Sequence, residues 1–401
     1  MKDFHIIHAL CRAALASPSN AVIRQIERLR DSLEKEGSKA DAKKLTSLLN
    51  SMDKACDMAP TRIQKSRIML AGEELTPNSS IPVDKETAIP LVEVLFPDAL
   101  LAEQPIFGSN VSLAVQSILD EWVHLEKLSE IDAHPSKSCL IYGSPGTGKT
   151  HLALWMARQM GIPVVLARLD GLISSFLGTT SRNIGNLFTF AARYRCILLL
   201  DEFDAIAKLR NDPQEVGEIK RVVNTLLQNL DARRDSGITI GITNHEFLLD
   251  PAIWRRFDVQ IEIPKPSHEV LSKIIGKFLS PLKFKDEEIK FLAWCIEGGT
   301  GADAKSLVQW IKKNHVLEQN KESPLVELLR RFALLNSGRI DSAKRNMLVH
   351  EEDNLLTALL DNQEFGFKKK EVADFMGIAA STVSKKISKI KEMEQEGRYA
   401  Q

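Results

Sequence analysis

The run Gly143-Ser144-Pro145-Gly146-Thr147-Gly148-Lys149-Thr150 decides the fold of this 401-residue chain. It fits G-x-x-x-x-G-K-[ST], a loop whose glycines let the backbone curl until several N–H groups point inward at phosphate oxygens. In that arrangement Lys149 reaches the β- and γ-phosphates, and the Thr150 hydroxyl ligates Mg2+. His151, next in the chain, is grouped with the nucleotide-binding residues. Such a loop must follow a strand and open a helix. Ser138-Cys139-Leu140-Ile141-Tyr142 is an apolar run before it, and His151-Leu152-Ala153-Leu154-Trp155-Met156-Ala157 is helix-like after it.

Outward from this loop, short apolar runs alternate with helical segments between about 91 and 265. Candidate strands lie at 138–142, 163–167, 196–200 and 237–242. The alternation predicts an α/β sandwich around a parallel sheet. Cys196-Ile197-Leu198-Leu199-Leu200 is unbroken in its apolarity, as suits a central strand buried on both faces. It delivers Asp201-Glu202 to the carboxyl end of the sheet, where open α/β sheets place their ligands. Asp201 there would hold Mg2+, usually through water, and Glu202 would polarise an attacking water as a base.

Bulk properties narrow the class. The 53 basic and 53 acidic residues balance, so any nucleic-acid or anionic-membrane binding needs a local patch. Five scattered cysteines with no C-x-x-C pair, and nine histidines that do not cluster with them, argue against a zinc site. They fit a reduced, cytoplasmic compartment. The amino terminus does not read as a signal peptide, and no run approaches the roughly 18 apolar residues of a membrane span. Residues 1–60 read as helices, with Ile23, Ile26, Leu29 and Leu33 at helical spacing. A small bundle and a partner-docking module fit them equally. A turn-rich linker is expected over 61–90, and helical blocks over 266–335 and 336–401.

With the loop and the paired acids in place, the stretch from about 90 to 320 resembles an AAA-type ATPase domain. The fold implied is a P-loop NTPase parallel sheet with a helical lid, an α/β class, flanked by an all-α N-terminal domain and a C-terminal helix-turn-helix. On that resemblance 91–265 is the large α/β subdomain, 266–335 the lid, and ATP with Mg2+ the cofactors. Gly237-Ile238-Thr239-Ile240-Gly241-Ile242-Thr243-Asn244 resembles the family's strand ending in a polar sensor, so that Asn244 orients the attacking water. Leu249-Asp250-Pro251-Ala252-Ile253-Trp254-Arg255-Arg256-Phe257-Asp258 resembles the segment whose arginines project into a neighbouring subunit's site. A guanidinium there spreads charge over the transferring phosphoryl oxygens. That role implies a homo-oligomer, a hexamer in the family.

Gly171-Leu172-Ile173-Ser174-Ser175-Phe176-Leu177-Gly178 is similar to the family's first pore loop, with Phe176, Leu177 and Gly178 gripping an extended protein substrate. Lys208 to Glu215 would form the second pore loop. Gly301-Ala302 falls where this severing and disassembly branch carries a Gly-Ala pair in the lid, and no arginine occurs between Phe257 and Arg330. Phe107-Gly108 is expected beside the adenine.

The segment from Lys370 to Ile387 resembles a helix-turn-helix, with Ala373 allowing a close crossing and Gly377 taking the turn. Ser381, Thr382, Lys385 and Lys386 would face DNA, although such units also mediate protein contacts. The whole chain is similar to bacterial AAA ATPases encoded beside a subtilisin-like serine protease in plasmid-incompatibility and anti-phage modules. That similarity implies a protease partner. A DNA-acting ATPase of the initiator, loader or transposition-helper kind is the alternative.

Overall fold

The computed structural model describes residues 72–100, 102–169, 177–205, 216–234, 236–317 and 324–399, with scattered positions between 7 and 46. The chain divides into two units, Met1–Ser66 and Arg67–Gln401. In the first, the helical residues Ile26, Leu33 and Leu45 are buried. Most of the helices expected there lie outside the described residues, as do Gly171 to Phe176 and Lys208 to Glu215.

The second unit is built on a six-stranded sheet. Its elements run β1 (Glu93–Leu95), α1 (Ser109–Val123), α2 (Leu125–Glu130), β2 (Ser138–Tyr142), α3 (Lys149–Met160), β3 (Val164–Arg168) and α4 (Leu177–Arg193). They continue through β4 (Ile197–Asp201), α5 (Val216–Arg233), β5 (Thr239–Thr243), α6 (Pro251–Trp254) and β6 (Val259–Glu262). Strand order is β1-β3-β4-β5-β2-β6, all parallel except β1, which runs antiparallel to β3. The four strands expected from the sequence are present. The edge strands β1 and β6 were not anticipated, because three or four residues with partly exposed faces carry little apolar signal.

The period of two in β4 sorts its side chains to both faces. Ile197 and Leu199 join α1 and α3 in one core, whereas Leu198 and Leu200 join α4 and α5 in another. The unbroken apolar run is therefore required by helices on both sides of the sheet. Residues 72–92, turn-rich in composition, add Leu75, Leu91 and Val92 to the second of these cores. Their Asp84 carboxylate accepts a 2.7 Å hydrogen bond from the Asn183 amide of α4.

Beyond the sheet lie α7 (His268–Leu279), α8 (Asp286–Cys295), α9 (Gly301–Leu317), α10 (Leu325–Leu335), α11 (Ser342–Val349), α12 (Glu352–Asp361), α13 (Lys369–Met376) and α14 (Ala380–Tyr399). One apolar core runs through all eight, from Leu271 to Val383. At its centre Phe291 of α8 and Phe375 of α13 stack 4.7 Å apart at an interplanar angle of 2°. Among the described residues, no helix is long and apolar enough to cross a membrane.

Candidate nucleotide site

The phosphate-type loop begins where β2 ends. Gly143 has φ +139°, and a Cβ there would lie 2.2 Å from the Ile263 carbonyl oxygen. Only glycine fits, because the chain leaving β6 closes over this point: the Ile263 amide donates to the Tyr142 carbonyl at 2.8 Å. Gly148, left-handed at φ +98°, caps α3. Lys149 opens that helix and is buried. Its Nζ donates to the carbonyls of Gly143 and Ser144, both at 2.8 Å. Burial pulls the Lys149 pKa down, opposed by the carboxylates of Asp201, Asp204 and Glu246.

Sheet order brings the acids to this loop. β5 lies between β2 and β4, so the residue after β5, Asn244, falls between the loop and the acids. The Thr150 hydroxyl donates to Asp201 Oδ2 at 3.1 Å. A hydroxyl and a carboxylate at one spot are hard oxygen donors, and beside this glycine loop they fit Mg2+. Such an ion keeps several waters and takes further ligands from phosphate. Bound there, it would neutralise phosphate charge.

Glu202 has a positive φ of +55°, unusual for a residue with a side chain. That conformation costs about 1–3 kcal/mol and persists only where neighbours over-determine it. Here they do. The Glu202 amide donates to Asp201 Oδ1 at 2.8 Å, and the next amide, of the fully buried Phe203, donates to the Ile242 carbonyl at 2.9 Å. The turn leaves Glu202 exposed and in the wall of the cavity. The same junction explains Asp204, buried, which accepts at 3.4 Å from both the Thr243 hydroxyl and the Asn244 amide.

A cavity of about 610 Å³ occupies the junction of sheet and lid. Its wall contains Phe107, Pro145 through His151, Asp201, Glu202, Asn244, Gly301 and Ala302, all expected from the sequence. Gly143 and Ser144 do not line it and act through their carbonyls on Lys149. Gly108 lines a smaller neighbouring cavity of about 220 Å³, which shares Phe107. The Ala302 amide donates to the Gly146 carbonyl at 3.1 Å. A Cβ on Gly146 would stand 2.8 Å from Thr300 Oγ1 and 2.9 Å from Ala302 Cβ, so small residues are needed on both sides of this contact.

Most of the remaining wall belongs to no motif in the sequence. Ile274, Lys277 and Phe278 come from α7, Lys305 from α9, and Glu103, Pro105 and Ile106 from the segment before α1. Lys277 pairs with Glu103 at 2.9 Å. The only available signal was spacing, since Ile274 and Phe278, and likewise Gly301 and Lys305, stand one helical turn apart. His151 Nε2 is buried without a hydrogen-bond partner among the described residues, and burial lowers the imidazole pKa.

The arginine segment is held from both ends. Asp250 caps α6, accepting from the Ala252 amide at 2.8 Å, and Pro251 occupies the first helical position. Asp258 accepts from the Ser138 hydroxyl at 2.7 Å and pairs with Arg234 at 3.0 Å. Between these anchors Arg255 is exposed, while Arg256 pairs with Asp231 at 3.3 Å. Neither arginine lines the cavity.

Of the residues expected at pore and DNA, Phe176 lies outside the described residues, and Leu177 and Gly178 open α4. Gly377, at φ +65°, ends α13 with its amide on the Ala373 and Asp374 carbonyls. Ser381, Thr382 and Lys385 are exposed on α14, whereas Lys386 pairs with Glu352 of α12 at 3.0 Å.

A nucleoside-triphosphate-binding α/β domain with a helical lid is the class that this geometry defines. Residues 139–265 match the model of the ATPase family associated with various cellular activities (AAA). The chain is 32% identical over 279 residues to an uncharacterized AAA family ATPase of Sinorhizobium fredii, covering 69% of this chain and 80% of that protein. It is also 32% identical to the ATP-dependent zinc metalloprotease FtsH of Aquifex aeolicus, over 64% of this chain and 43% of that protein. A proteasome-activating nucleotidase of Pyrococcus abyssi is 32% identical over 46% of this chain and 48% of the relative. The chain thus spans less than half the length of the last two. It belongs to the AAA family and is an ATPase.

Proposed function

We propose that this ATPase works as a ring, a hexamer, in which each cavity is completed by Arg255 of the next subunit and hydrolysis drives remodelling or translocation of a protein substrate. One observation carries the reading. Lys149, Thr150, Asp201, Glu202 and Asn244 converge on one cavity, while Arg255 is exposed outside it. In this assignment Thr150 and Asp201 hold Mg2+, Asn244 orients the water and Glu202 takes its proton. Arg255 spreads charge on the phosphoryl oxygens from outside, with Arg256 bracing the segment through Asp231.

Subunit mixing tests this. Arg255→Ala and Glu202→Gln should each be inactive alone, and mixing them should restore turnover at the interfaces that combine an intact cavity with an intact arginine. No recovery in proven mixed oligomers would overturn the shared site.

A protein substrate fits the Phe176-Leu177-Gly178 step and the names of two relatives, a metalloprotease and a proteasome activator. A separate subtilisin-like protease partner, in plasmid incompatibility or anti-phage defence in the cytoplasm, follows from the sequence resemblance. ATP consumption that rises with unfolded protein would support this class of substrate. The second reading, a DNA-acting ATPase, is favoured by the exposure of Ser381, Thr382 and Lys385 beyond the turn at Gly377. Stimulation by duplex DNA and not by unfolded protein would select it.

A further inference from the structure

Helix α4 is fastened at two places by the segment that precedes β1. At its carboxyl end the Glu73 amide donates to the Arg193 carbonyl at 2.9 Å, and the Arg195 amide donates to the Glu73 carbonyl at 2.8 Å. Gly72, at φ +127°, permits this approach, since a Cβ there would stand 3.0 Å from backbone atoms of Arg193, Tyr194 and Arg195. Nearer the amino end, Asn183 Nδ2 donates to Asp84 Oδ2 at 2.7 Å, and Thr179 Oγ1 donates to Glu86 Oε1 at 3.1 Å. Numbers rise along the segment as they fall along the helix. Residues 72–91 are thus a strap laid antiparallel to α4.

The two fastenings differ in kind, the first being backbone and the second side chain. Asp84 is the hub of a tight turn, with Oδ1 accepting from the amides of Glu86 at 2.7 Å and Thr87 at 3.2 Å. The Ala88 amide closes that turn on the Asp84 carbonyl at 2.8 Å. Oδ2 is left for Asn183, and both residues are buried. Among the described residues, the first of α4 to join the apolar core is Ile184. Before it the buried residues are polar: Thr179, Thr180 and Asn183. Apolar packing is non-directional, so it is the hydrogen bonds to the strap that set how this end of the helix is oriented. Among the described residues, none of α4 lines the nucleotide cavity.

We propose that Asp84 is a positioning residue for protein-substrate engagement, fixing through Asn183 the amino end of α4, where Leu177 and Gly178 begin the helix. This rests on the reading of the Phe176-Leu177-Gly178 step as the part that grips protein. The backbone fastening at Arg193 lies ten residues beyond Asn183, about 15 Å along the helix axis. A helix held only there and by its core face tilts most at its far end, which is the gripping end. A carboxylate acceptor is suited to prevent that tilt, because bonds to a charged acceptor are shorter and stronger than neutral ones. Removing it should therefore impair the grip and leave the chemistry of the distant cavity intact.

ATP turnover by the full chain, alone and with casein as an unfolded-protein probe, tests the assignment. Asp84→Ala should keep unstimulated turnover at the wild-type level. It should raise the casein concentration for half-maximal stimulation about tenfold, the factor expected of one hydrogen bond to a charged acceptor. Asp84→Asn should recover most of the loss: its amide oxygen still accepts from the turn, and its NH2 meets the oxygen of a flipped Asn183 amide. Glu86→Ala, at an exposed residue, removes only the Thr179 bond and should give a smaller shift in the same direction at wild-type melting temperature. Unchanged half-saturation in both alanine variants overturns the proposal. So does unstimulated turnover that falls in step with stimulated turnover, which would make the strap a structural brace alone, or a loss that Asp84→Asn does not rescue. Wild-type turnover indifferent to casein, or Phe176→Ala stimulated as wild type, would instead remove the gripping role of the Phe176 step and the proposal with it.

Discussion

Phe203 and Phe257 meet edge to face, with ring centroids 5.7 Å apart and planes at 77°. Phe203 follows the acid pair at the end of β4, and Phe257 follows the two arginines. Through this contact the residue that faces water in the cavity and the residues that face outward are held to a common core. Edge-to-face aromatic pairs add about 0.5–1.5 kcal/mol beyond their area burial. Phe257→Ala should therefore destabilise the chain by about 3–5 kcal/mol and lower turnover more than nucleotide affinity. Denaturant melts and labelled-nucleotide binding separate the two effects, and Phe257→Leu should lie between.

Gly143→Ala should abolish nucleotide binding and lower the melting temperature together. The added Cβ would lie 2.2 Å from the Ile263 carbonyl oxygen, a backbone atom that cannot step aside, and φ is +139°. Gly161→Ala is the control: a left-handed glycine at φ +65° that ends α3 in open space, where strain costs stability and leaves affinity near wild type. Equal affinity in both variants would refute the close approach.

Glu202→Gln should keep ATP bound and stop turnover, because the amide retains the turn held by Asp201 but cannot take a proton. Glu202→Gly should relieve the positive φ of +55° and raise the melting temperature while also stopping turnover. A melting temperature below wild type in the glycine variant would show that the turn is not strained.

The two arginines should separate. Arg255 is exposed, so Arg255→Ala should cost hydrolysis without changing the unfolding midpoint. Arg256→Ala also loses the 3.3 Å pair with Asp231 and should lower the midpoint slightly, since an exposed pair contributes less than about 1 kcal/mol of stability. Equal effects of both on the midpoint would contradict this division.

On α14, Lys386→Ala should alter acid stability and Lys385→Ala should not. The hydrogen bond from Lys386 is the main influence holding the Glu352 carboxyl below the usual carboxylate range. A carboxyl lowered in the folded state stabilises above its unfolded pKa, and that stability is lost as pH falls through the lowered value. Without Lys386 that stability should be smaller at neutral pH, so the melting temperature starts lower and falls less on acidification, the variant and wild-type curves converging at low pH. If α14 binds DNA, Lys385→Ala should weaken binding at unchanged stability.

The parts of the site that are consecutive in the chain were legible. The loop from Gly143 to Thr150, the acids closing the apolar run to Leu200 and the Asn after Thr243 each depend on local backbone chemistry. A tight turn demands glycine, and a doubly covered strand demands unbroken apolarity. The closure of the cavity was not legible in the same way. Phe107 and His151 were expected there, but Lys277, Phe278 and Lys305 were not, because surface lysines on amphipathic helices look alike before packing turns one face inward. Nor did periodicity separate the lid from the helices after it, since Phe291 and Phe375 reveal their shared core only when stacked.

The sequence by itself determined that a phosphate loop, a strand-end acid pair and a polar strand end exist, because each is written within eight neighbouring residues. Only the tertiary structure decided that β5 stands between β2 and β4, which lines the three up. It also decided that Ala302 closes on Gly146, that Arg255 is left outside, and that Lys305 enters the same space as Lys149. The physical reason is range: turn and strand preferences act over a few residues, whereas strand order and lid closure are set by burying surfaces that lie far apart in the chain.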